Sequence, residues 1–390
     1  MAKNAQSKLG PDAAGGLLLM LASALAIGLA NSPLAHAYDL LLSVRGAVLV
    51  NGVGIEKPLL LWINDGLIPI FFLLLGLEIK REMIAGHLSS PRRAILPVVA
   101  AAAGMAAPAI VYLACTWHAP FARAGWAVPA ATDTAFALGI MALLGSRVPT
   151  SLKLLLTALA IIDDLGAIVI IAIFYTGSLS WISLSGALVA LIVLLALNLW
   201  GVRRLIWYVL VGIVLWVFVL KSGVHATLAG VALAVAIPFR GGPGETSPLL
   251  RLEHELRPWV TFGILPIFGF ANAGLSFANL SVSDLVNPIP LGIAAGLFIG
   301  KQLGVFAAVA LTVRFGWAGL PEGASWRAVY GTSVLTGVGF TMSLFIGTLA
   351  FGQSPHEATM RLGVLAGSVL SGLLGAALLL SVSPPPQTAS

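Results

Sequence analysis

The chain has 390 residues, of which 59% are apolar and only 9% are charged. A soluble domain carries about 25% charged residues, so this composition excludes that class and indicates a polytopic membrane protein. A net charge of +6 could indicate nucleic acid as a partner, but the basic residues lie in loops at the ends of apolar segments and therefore report membrane topology. The single cysteine, Cys115, excludes an internal disulfide and a cysteine-based metal site.

Twelve apolar segments follow one another along the chain, most of them close to the roughly 20 residues that span a bilayer. Together they predict an all-α membrane bundle that forms a single domain over residues 1–383, followed by a Pro-rich, disordered tail at 384–390. The seventh and eighth segments are short and are divided at Lys221-Ser222-Gly223. The segments are 14–31, 58–79, 94–116, 124–145, 153–175, 181–200, 205–220, 223–238, 259–277, 288–312, 328–350 and 360–382.

The distribution of Lys and Arg predicts that both chain termini lie in the cytoplasm. In that orientation most basic residues, including the pairs Lys80-Arg81, Arg92-Arg93 and Arg203-Arg204, lie in cytoplasmic loops, as the positive-inside rule requires. The first segment could alternatively be a signal peptide, because basic residues precede it and Ala35-His36-Ala37 resembles a cleavage site. Its removal would leave the orientation of the other segments unchanged.

The longest extracytoplasmic loop, residues 33–57, contains a hairpin signal. Asn51-Gly52 stands within the apolar stretch 47–56, and Asn-Gly between two apolar runs is the strongest short-range signal for a β-hairpin. A lone hairpin is marginal in water, so it needs a partner surface, and a second copy of the chain is the simplest one. The sequence therefore predicts a homodimer through residues 47–56, with an ordinary loop and turn as the alternative.

Two adjacent aspartates, Asp163 and Asp164, lie in the middle of the apolar run from Leu154 to Tyr175. One charge at the bilayer centre costs about 2.5–3.5 kcal/mol on insertion scales, and two neighbouring carboxylates also repel each other. Such a pair indicates a site for a cation or a proton. Because neighbours on an α-helix point about 100° apart, we expect one carboxylate to meet the ion and the other a neighbouring helix, with Lys301 as the candidate partner.

Two further charges stand at the same depth. Lys301 lies at the centre of the apolar run 291–311, and Asp133 lies at the centre of residues 125–139. Ionisable residues inside a membrane usually mark an ion path or a proton path. Asp133 could also have a purely structural role, as a partner for helix dipoles.

Two of the twelve segments carry signals for an interrupted helix. Pro129 removes a backbone donor in the fourth segment, and Gly337 and Gly339 weaken the eleventh. Interrupted helices at corresponding positions of two halves indicate a transporter binding site, and these two are the middle members of the trios 3–5 and 10–12. The two breaks create four helix ends in the membrane, and we expect Asp133 to offset one pair of ends and Lys301 the other.

These features resemble those of the NhaA-type sodium/proton antiporters, from the first segment to the twelfth. The stretches that carry the resemblance are FLLLGLEIKRE at 72–82, AATDTAFALG at 130–139, IIDDLGA at 161–167, FANAG at 270–274 and LTGVGFTMS at 335–343. The resemblance implies inverted-topology repeats of helices 3–5 and 10–12, with two interrupted helices that cross at mid-membrane.

The resemblance also implies a function. Such a protein is no enzyme and holds no cofactor; it expels Na⁺ or Li⁺ across the bacterial inner membrane in electrogenic, pH-regulated exchange for two H⁺, and it dimerises through the hairpin. Asp163 and Asp164 match the family's essential pair, and Lys301 matches its midplane lysine. Thr132 and Asp133 match its interrupted helix, where they would contact the cation together with the two aspartates. The residues that match its cytoplasmic, pH-sensing mouth are Glu78, Arg81, Glu82, Glu253 and His254.

One departure from the family pattern concerns pH sensing. Arg257 stands where the family often has a second histidine, three positions after the first. Arginine does not titrate in proteins, so the pH window of this member stays open, as do its turnover and its preference among Na⁺, Li⁺ and K⁺.

The expected mechanism is competition at one site. Deprotonated Asp163 and Asp164 bind dehydrated Na⁺ with help from backbone carbonyls, and the site then turns outward, releases Na⁺ and takes up protons. Burial favours the uncharged form of a carboxyl group, which makes exchange near neutral pH feasible. The second proton could come from Lys301, or both could come from the aspartates.

Other functional classes fit the sequence less well. An intramembrane aspartyl protease needs one aspartate on each of two facing helices, whereas Asp163 and Asp164 are adjacent on one. A sodium-coupled solute symporter or a cation channel is the alternative. A symporter should carry further polar residues at mid-depth, beyond those that the twelve segments contain.

Overall fold

The computed structural model describes residues 10–50, 53–240, 246–278, 280–352 and 354–382. Three π-helical turns, Ile63–Leu67, Val260–Ile264 and Gly296–Gly300, join α3 to α4, α11 to α12 and α13 to α14. The helices and strands are α1 (Pro11–Ala30), α2 (Ala35–Ser43), β1 (Arg45–Val50), β2 (Val53–Pro58), α3 (Leu59–Trp62), α4 (Ile68–Ala85), α5 (Pro91–Cys115), α6 (Thr134–Leu143), α7 (Thr150–Phe174), α8 (Trp181–Leu199), α9 (Leu205–Ser222), α10 (Thr227–Ala236), α11 (Pro248–Trp259), α12 (Leu265–Ala273), α13 (Pro288–Ala295), α14 (Lys301–Arg314), α15 (Trp326–Leu335), α16 (Phe340–Phe351) and α17 (Glu357–Leu380).

The described residues form a helical membrane protein. Nine of their helical stretches are long and apolar enough to cross a membrane, and the bent pair Pro120–Ala130 and Thr134–Leu143 makes a tenth. The predicted fold class, an all-α polytopic membrane protein, is therefore confirmed. The two other predicted segments correspond to the short helix α10 and to the π turn Val260–Ile264 with α12. Helix α9 ends at Ser222, where Gly223 takes a left-handed φ of 86° that favours glycine.

The loop between the first two spanning segments contains more structure than the sequence predicts. Helix α2 occupies part of it, and strands β1 and β2 then pair antiparallel, with Val50 opposite Val53. Nε1 of Trp62 donates a 2.9 Å hydrogen bond to the carbonyl of Gly46, which fixes the strand pair against α3. The predicted turn residues, Asn51 and Gly52, lie outside the described residues, as does the predicted tail at 384–390.

The two interrupted segments contact each other inside the bundle. The first break, residues 131–133, separates a 3₁₀ turn (Val128–Ala130) from α6, and the second, residues 336–339, separates α15 from α16. The backbone N–H of Asp133 donates a 2.7 Å hydrogen bond to the carbonyl of Val338. Irregular backbone at membrane depth is tolerated only where protein or a water-filled cavity satisfies it, and here each break partly satisfies the other.

Helix α7 lies at the centre of this arrangement. It packs on α4, α5, α6 and α15, and α5 in turn packs along α13, α14 and the π turn between them. Long apolar side chains face outward on the peripheral helices; Ile182 and Leu199 of α8, for example, are 85% and 86% exposed. Such exposure is expected for side chains that face lipid, while the interior of the bundle holds the polar residues.

Candidate functional site

Helix α7 carries both predicted aspartates into the protein interior. Asp163 is fully buried and Asp164 is 3% exposed. The Oδ1 atom of each carboxyl group is buried and meets no hydrogen-bond partner within the described ranges. Because buried polar atoms in proteins are nearly always hydrogen-bonded, these two oxygens mark a place where a small ion or a proton can complete the interaction.

Lys301 lies against the first of the two aspartates. Both side chains are completely buried, and Nζ of Lys301 forms an ion pair with Oδ2 of Asp163. Oγ1 of Thr132 lies 2.7 Å from the same Oδ2 and 2.9 Å from the carbonyl oxygen of Thr336. A hydroxyl group has one proton to donate, so Thr132 divides it between the two acceptors. Asp163 is therefore held by protein groups on one of its oxygens.

Asp133 has a different environment at the first break. Its Oδ1 accepts a 3.0 Å hydrogen bond from the backbone N–H of Phe136, which caps α6. Its Oδ2 accepts bonds of 2.9 Å from the backbone N–H and 2.5 Å from the hydroxyl of Thr341, at the start of α16. One carboxylate thus neutralises the positive N-terminal ends of both interrupted helices.

This arrangement corrects one sequence-based expectation. The sequence suggests that Asp133 offsets one pair of helix ends and Lys301 the other. Instead, Asp133 serves the N-terminal ends of both half-helices, and the ammonium of Lys301 is directed at Asp163. Two buried carbonyls of the second break receive their donors from the first break, through Thr132 Oγ1 to Thr336 and the N–H of Asp133 to Val338.

The predicted glycines stand where backbones approach closely. A Cβ atom added at Gly337 would lie 2.3 Å from the carbonyl oxygen of Leu297, in the π turn before α14. A Cβ added at Gly339 would lie 2.9 Å from the carbonyl oxygen of Ala131, in the first break. Glycine is therefore required by space at both positions. Pro129 lies in the 3₁₀ turn that ends just before the first break.

A cavity of about 200 Å³ reaches the second aspartate. Asp164 and Asp133 line it together with Thr341 from the second interrupted helix. Glu78 of α4 and Arg257 of α11 line the same cavity. The cavity therefore joins Asp164 to the group of charged residues that the sequence assigns to the mouth.

Those charged residues form a connected network around arginine side chains. Arg257 pairs with Oε1 of Glu78 at 2.7 Å and with Oε1 of Glu253 at 3.0 Å. Arg81 pairs with Oε2 of Glu253 at 3.0 Å and with Oε1 of Glu82 at 2.5 Å. Four of the five residues predicted for the mouth are thus brought together. The fifth, His254, is exposed on the neighbouring face of α11 and forms no hydrogen bond or ion pair with another described residue.

Several contributors to the site are not identified by the sequence alone. Arg257 appears there only as a departure from a family pattern, yet it joins Glu78 to Glu253. Thr341 lies in a stretch that the sequence marks, but its partner Asp133 is 208 positions away and becomes known only from the structure. The sequence does signal that the interrupted stretch around Gly337 and Gly339 matters, but it does not say which atoms that stretch contributes.

Comparison with known proteins adds a family match. Residues 6–379 match the family described as Na⁺/H⁺ antiporter 1. A protein of Rhodospirillum rubrum named Na(+)/H(+) antiporter NhaA is 58% identical over 376 residues, which cover 93% of this chain and 94% of the relative.

Two further relatives carry names of the same kind. The Na(+)/H(+) antiporter NhaA of Pseudomonas putida (strain GB-1) is 54% identical over 378 residues, covering 96% of this chain and 97% of the relative. The Na(+)/H(+) antiporter NhaA 1 of Syntrophotalea carbinolica is 55% identical over 366 residues, covering 93% and 92%. Each of these matches extends over nearly the whole length of both proteins.

Proposed function

Because this chain belongs to the Na⁺/H⁺ antiporter 1 family, we propose that it exchanges Na⁺ or Li⁺ for H⁺ across the membrane. The resemblance inferred from the sequence motifs is confirmed by the match over residues 6–379. The exchange needs two ions to use one site in turn. Asp163 and Asp164 are the residues that we assign to that site.

One observation carries the assignment. Asp164 lines the cavity, and its buried Oδ1 meets no donor in the described part of the chain. An ionised carboxylate without a partner is costly in a buried site, so it takes up either a proton or a cation. A group that must bind one of the two, but can bind only one at a time, supplies the competition on which an exchanger depends.

Asp163 contributes a second carboxylate, which is paired with the ammonium group of Lys301. In the ion pair with Lys301 its charge is already neutralised, so Na⁺ at the pair must draw Asp163 away from the ammonium. Thr132 offers a hydroxyl oxygen beside the same carboxylate, and the backbone carbonyls at the breaks offer further oxygen ligands. Oxygen atoms of this kind suit a hard monovalent cation.

Two assignments of the exchanged protons to residues agree with this site. In the first, Na⁺ displaces one proton from Asp164, and the loss of the ion pair lets Lys301 release another. In the second, Lys301 stays charged, and both protons come from Asp163 and Asp164. In each case the proton-loaded site carries one more positive charge than the Na⁺-loaded site, so exchange of two H⁺ for one Na⁺ moves net charge across the membrane.

Topology and regulation complete the proposal. The distribution of basic residues supports a cytoplasmic location for both termini and for the network around Arg257, and the proposed membrane is the bacterial inner membrane. Sodium would then enter from the cytoplasm along the cavity. The carboxylates of Glu78, Glu82 and Glu253 would set how readily it enters at a given pH, with Arg257 and Arg81 holding them together.

The strand pair β1–β2 supports a proposed homodimer. Val48 and Leu49 of β1 are 63% and 56% exposed although they are apolar, and pairing with the same strands of a second copy would cover them. Deleting residues 48–55 should shift the protein from dimer to monomer in detergent while exchange persists, because the ion path lies within one protomer. A dimer of unchanged stability would reject this pairing.

The exchange itself is tested by counterflow in everted membrane vesicles that hold a proton gradient. Addition of Na⁺ should collapse the gradient, and an outward Na⁺ gradient should create one. A symporter would move both ions in the same direction, and a channel would pass Na⁺ without moving protons. Either result would reject the proposed function.

A further inference from the structure

The tenth segment changes its helix type immediately before Lys301. The π turn Gly296–Gly300 separates α13 from α14, and Lys301 is the first residue of α14. A π turn places one extra residue in the helix, so the side chains that follow are rotated by about 100° relative to an uninterrupted α-helix. The π turn therefore determines whether the ammonium group of Lys301 faces Asp163.

A glutamine side chain binds the backbone of this turn. Gln302 is 6% exposed, and its Nε2 donates a hydrogen bond to the carbonyl of Phe298 within the π turn. Its Oε1 accepts a 2.7 Å hydrogen bond from the hydroxyl of Tyr330 on α15. A buried amide is costly unless it is hydrogen-bonded, and here both ends of the amide have partners.

Aromatic packing holds the same two helices together. The ring of Tyr330 meets the ring of Phe306 edge-on, with centroids 5.2 Å apart, and Trp326 meets Phe306 at 6.0 Å. Gln302 and Phe306 are four residues apart on α14, and Trp326 and Tyr330 are four apart on α15. Residues at this spacing share one helix face, so the two faces meet at two successive turns.

We propose that Gln302 and Tyr330 are positioning residues for ion exchange, which fix the π turn and thereby hold Lys301 on Asp163. The inference rests on the proposed function, since it concerns how firmly the ammonium holds a carboxylate that Na⁺ and protons share. Helix α15 continues into the second break, where the carbonyl of Thr336 lies 2.9 Å from Oγ1 of Thr132. The hydrogen bond from Tyr330 therefore ties the lysine to the interrupted helices.

The charges that face Lys301 determine how the pH dependence of exchange should change when the π turn is loosened. Helix α5 presents Gly104, where an added Cβ would lie 3.9 Å from Nζ of Lys301, and brings no charge there. Among the described residues Lys301 is the base that pairs with Asp163. A loosened ammonium neutralises the carboxylate less, so protons compete with Na⁺ up to a higher pH. The other ionisable groups facing this region are Asp164 of α7, Asp133 of the first break, Glu78 of α4 and Tyr330 of α15.

The test compares conservative substitutions in the full-length protein, reconstituted in liposomes. Tyr330→Phe removes the hydroxyl and keeps the ring, so the maximal exchange rate should be retained while the pH of half-maximal exchange rises by about half a unit. Gln302→Met should shift the profile in the same direction. Because both residues act through one network, the double variant should show little more than the larger single shift.

A matched control is available in a distant helix. Tyr208→Phe likewise removes the hydroxyl of a helix tyrosine, which donates a 2.9 Å bond to the carbonyl of Val202, and it should leave the pH profile unchanged. A Tyr330→Phe profile that coincides with this control overturns the proposal, and so do fully additive shifts. For a variant too slow to assay, the pH dependence of the Na⁺-induced rise in melting temperature gives the same comparison. A parent protein without Na⁺-dependent proton movement would reject the proposed function instead.

Discussion

Asp133 and Asp164 are both buried and both line the same cavity, but their surroundings differ. Asp133 accepts hydrogen bonds from Phe136 and Thr341 on its two oxygens, and these bonds close the ends of two half-helices. Oδ1 of Asp164 meets no donor among the described residues. Depth in the membrane therefore does not identify an ion site. On the proposed assignment, a structural carboxylate differs from an ion-binding one in whether the protein has already supplied its hydrogen-bond partners.

The sharpest test of this difference is to remove the charge of Asp164. Asp164→Asn should leave folded protein but reduce exchange at low Na⁺ at least about a hundredfold, since losing one partner of a buried ionic contact costs about 3–5 kcal/mol. Fluorescence assays of proton movement in everted vesicles measure the loss, and the melting temperature in detergent verifies folding. Normal exchange in this variant would refute the assignment of the site.

The next test concerns the ion pair of Lys301 with Asp163. If Lys301 carries the second proton, Lys301→Gln should exchange Na⁺ without net charge movement or not at all. The reversal potential in proteoliposomes gives the stoichiometry directly. The variant should also melt at a lower temperature, because Asp163 loses its buried counter-charge. Unchanged stoichiometry with full electrogenic exchange would assign both protons to the aspartates.

Substitution of Asp133 should mainly lower the stability of the protein, whereas substitution of Asp164 should mainly reduce exchange. Asp133→Ala removes the N-cap of α6 and the acceptor at the start of α16, and each cap contributes about 0.5–2 kcal/mol. Asp133→Asn keeps an acceptor oxygen, and asparagine is a good N-cap, so it should lose less. We expect the melting temperature to fall more in Asp133→Ala than in Asp133→Asn. Both variants should retain measurable exchange. Complete loss of exchange in Asp133→Asn at an unchanged melting temperature would show that Asp133 binds the transported ion.

The smallest effects are expected at the mouth, where two neighbours on α11 can be compared. Arg257 is 46% exposed and pairs with Glu78 and Glu253. An ion pair this exposed is worth at most about 1 kcal/mol, which corresponds to less than about one pH unit.

Removing the guanidinium favours proton uptake by the carboxylates that it joins. Arg257→Gln should therefore shift the pH profile of exchange toward alkaline pH. His254→Ala should leave the profile nearly unchanged, because the side chain is exposed and outside the network. A larger shift in His254→Ala than in Arg257→Gln would show that the histidine, rather than the arginine network, sets the pH response.

Hydropathy predicts the helices of this protein well because the bilayer imposes a length and an apolar composition on each of them. It fails where local backbone geometry decides. Helix α2 is not predicted because it lies within the loop between the first two spanning segments and is only 9 residues long. The three π turns were missed because an apolar run gives no indication of how its backbone is hydrogen-bonded.

The candidate site was predictable in its charges and in Lys301 as the partner of one aspartate, which the ion pair with Asp163 bears out, but not in the partners of Asp133. Asp163, Asp164, Asp133 and Lys301 are conspicuous because a charge in an apolar segment is costly. Their partners are ordinary residues, such as Thr341, which meet them only after the two interrupted helices have come together. No local pattern pairs Asp133 with a threonine that is distant in the chain, so the different surroundings of Asp133 and Asp164 emerge only from the structure.

The central claim is that Na⁺ and protons compete for the carboxylates of Asp163 and Asp164. The most direct measurement is the KM for Na⁺ as a function of pH, in proteoliposomes that contain the purified protein. If the two ions compete, the KM rises about tenfold or more for each unit of acidification once a proton holds the site, while the maximal rate stays constant. A KM that is independent of pH, together with a maximal rate that falls, would contradict the account and place pH control outside the ion site.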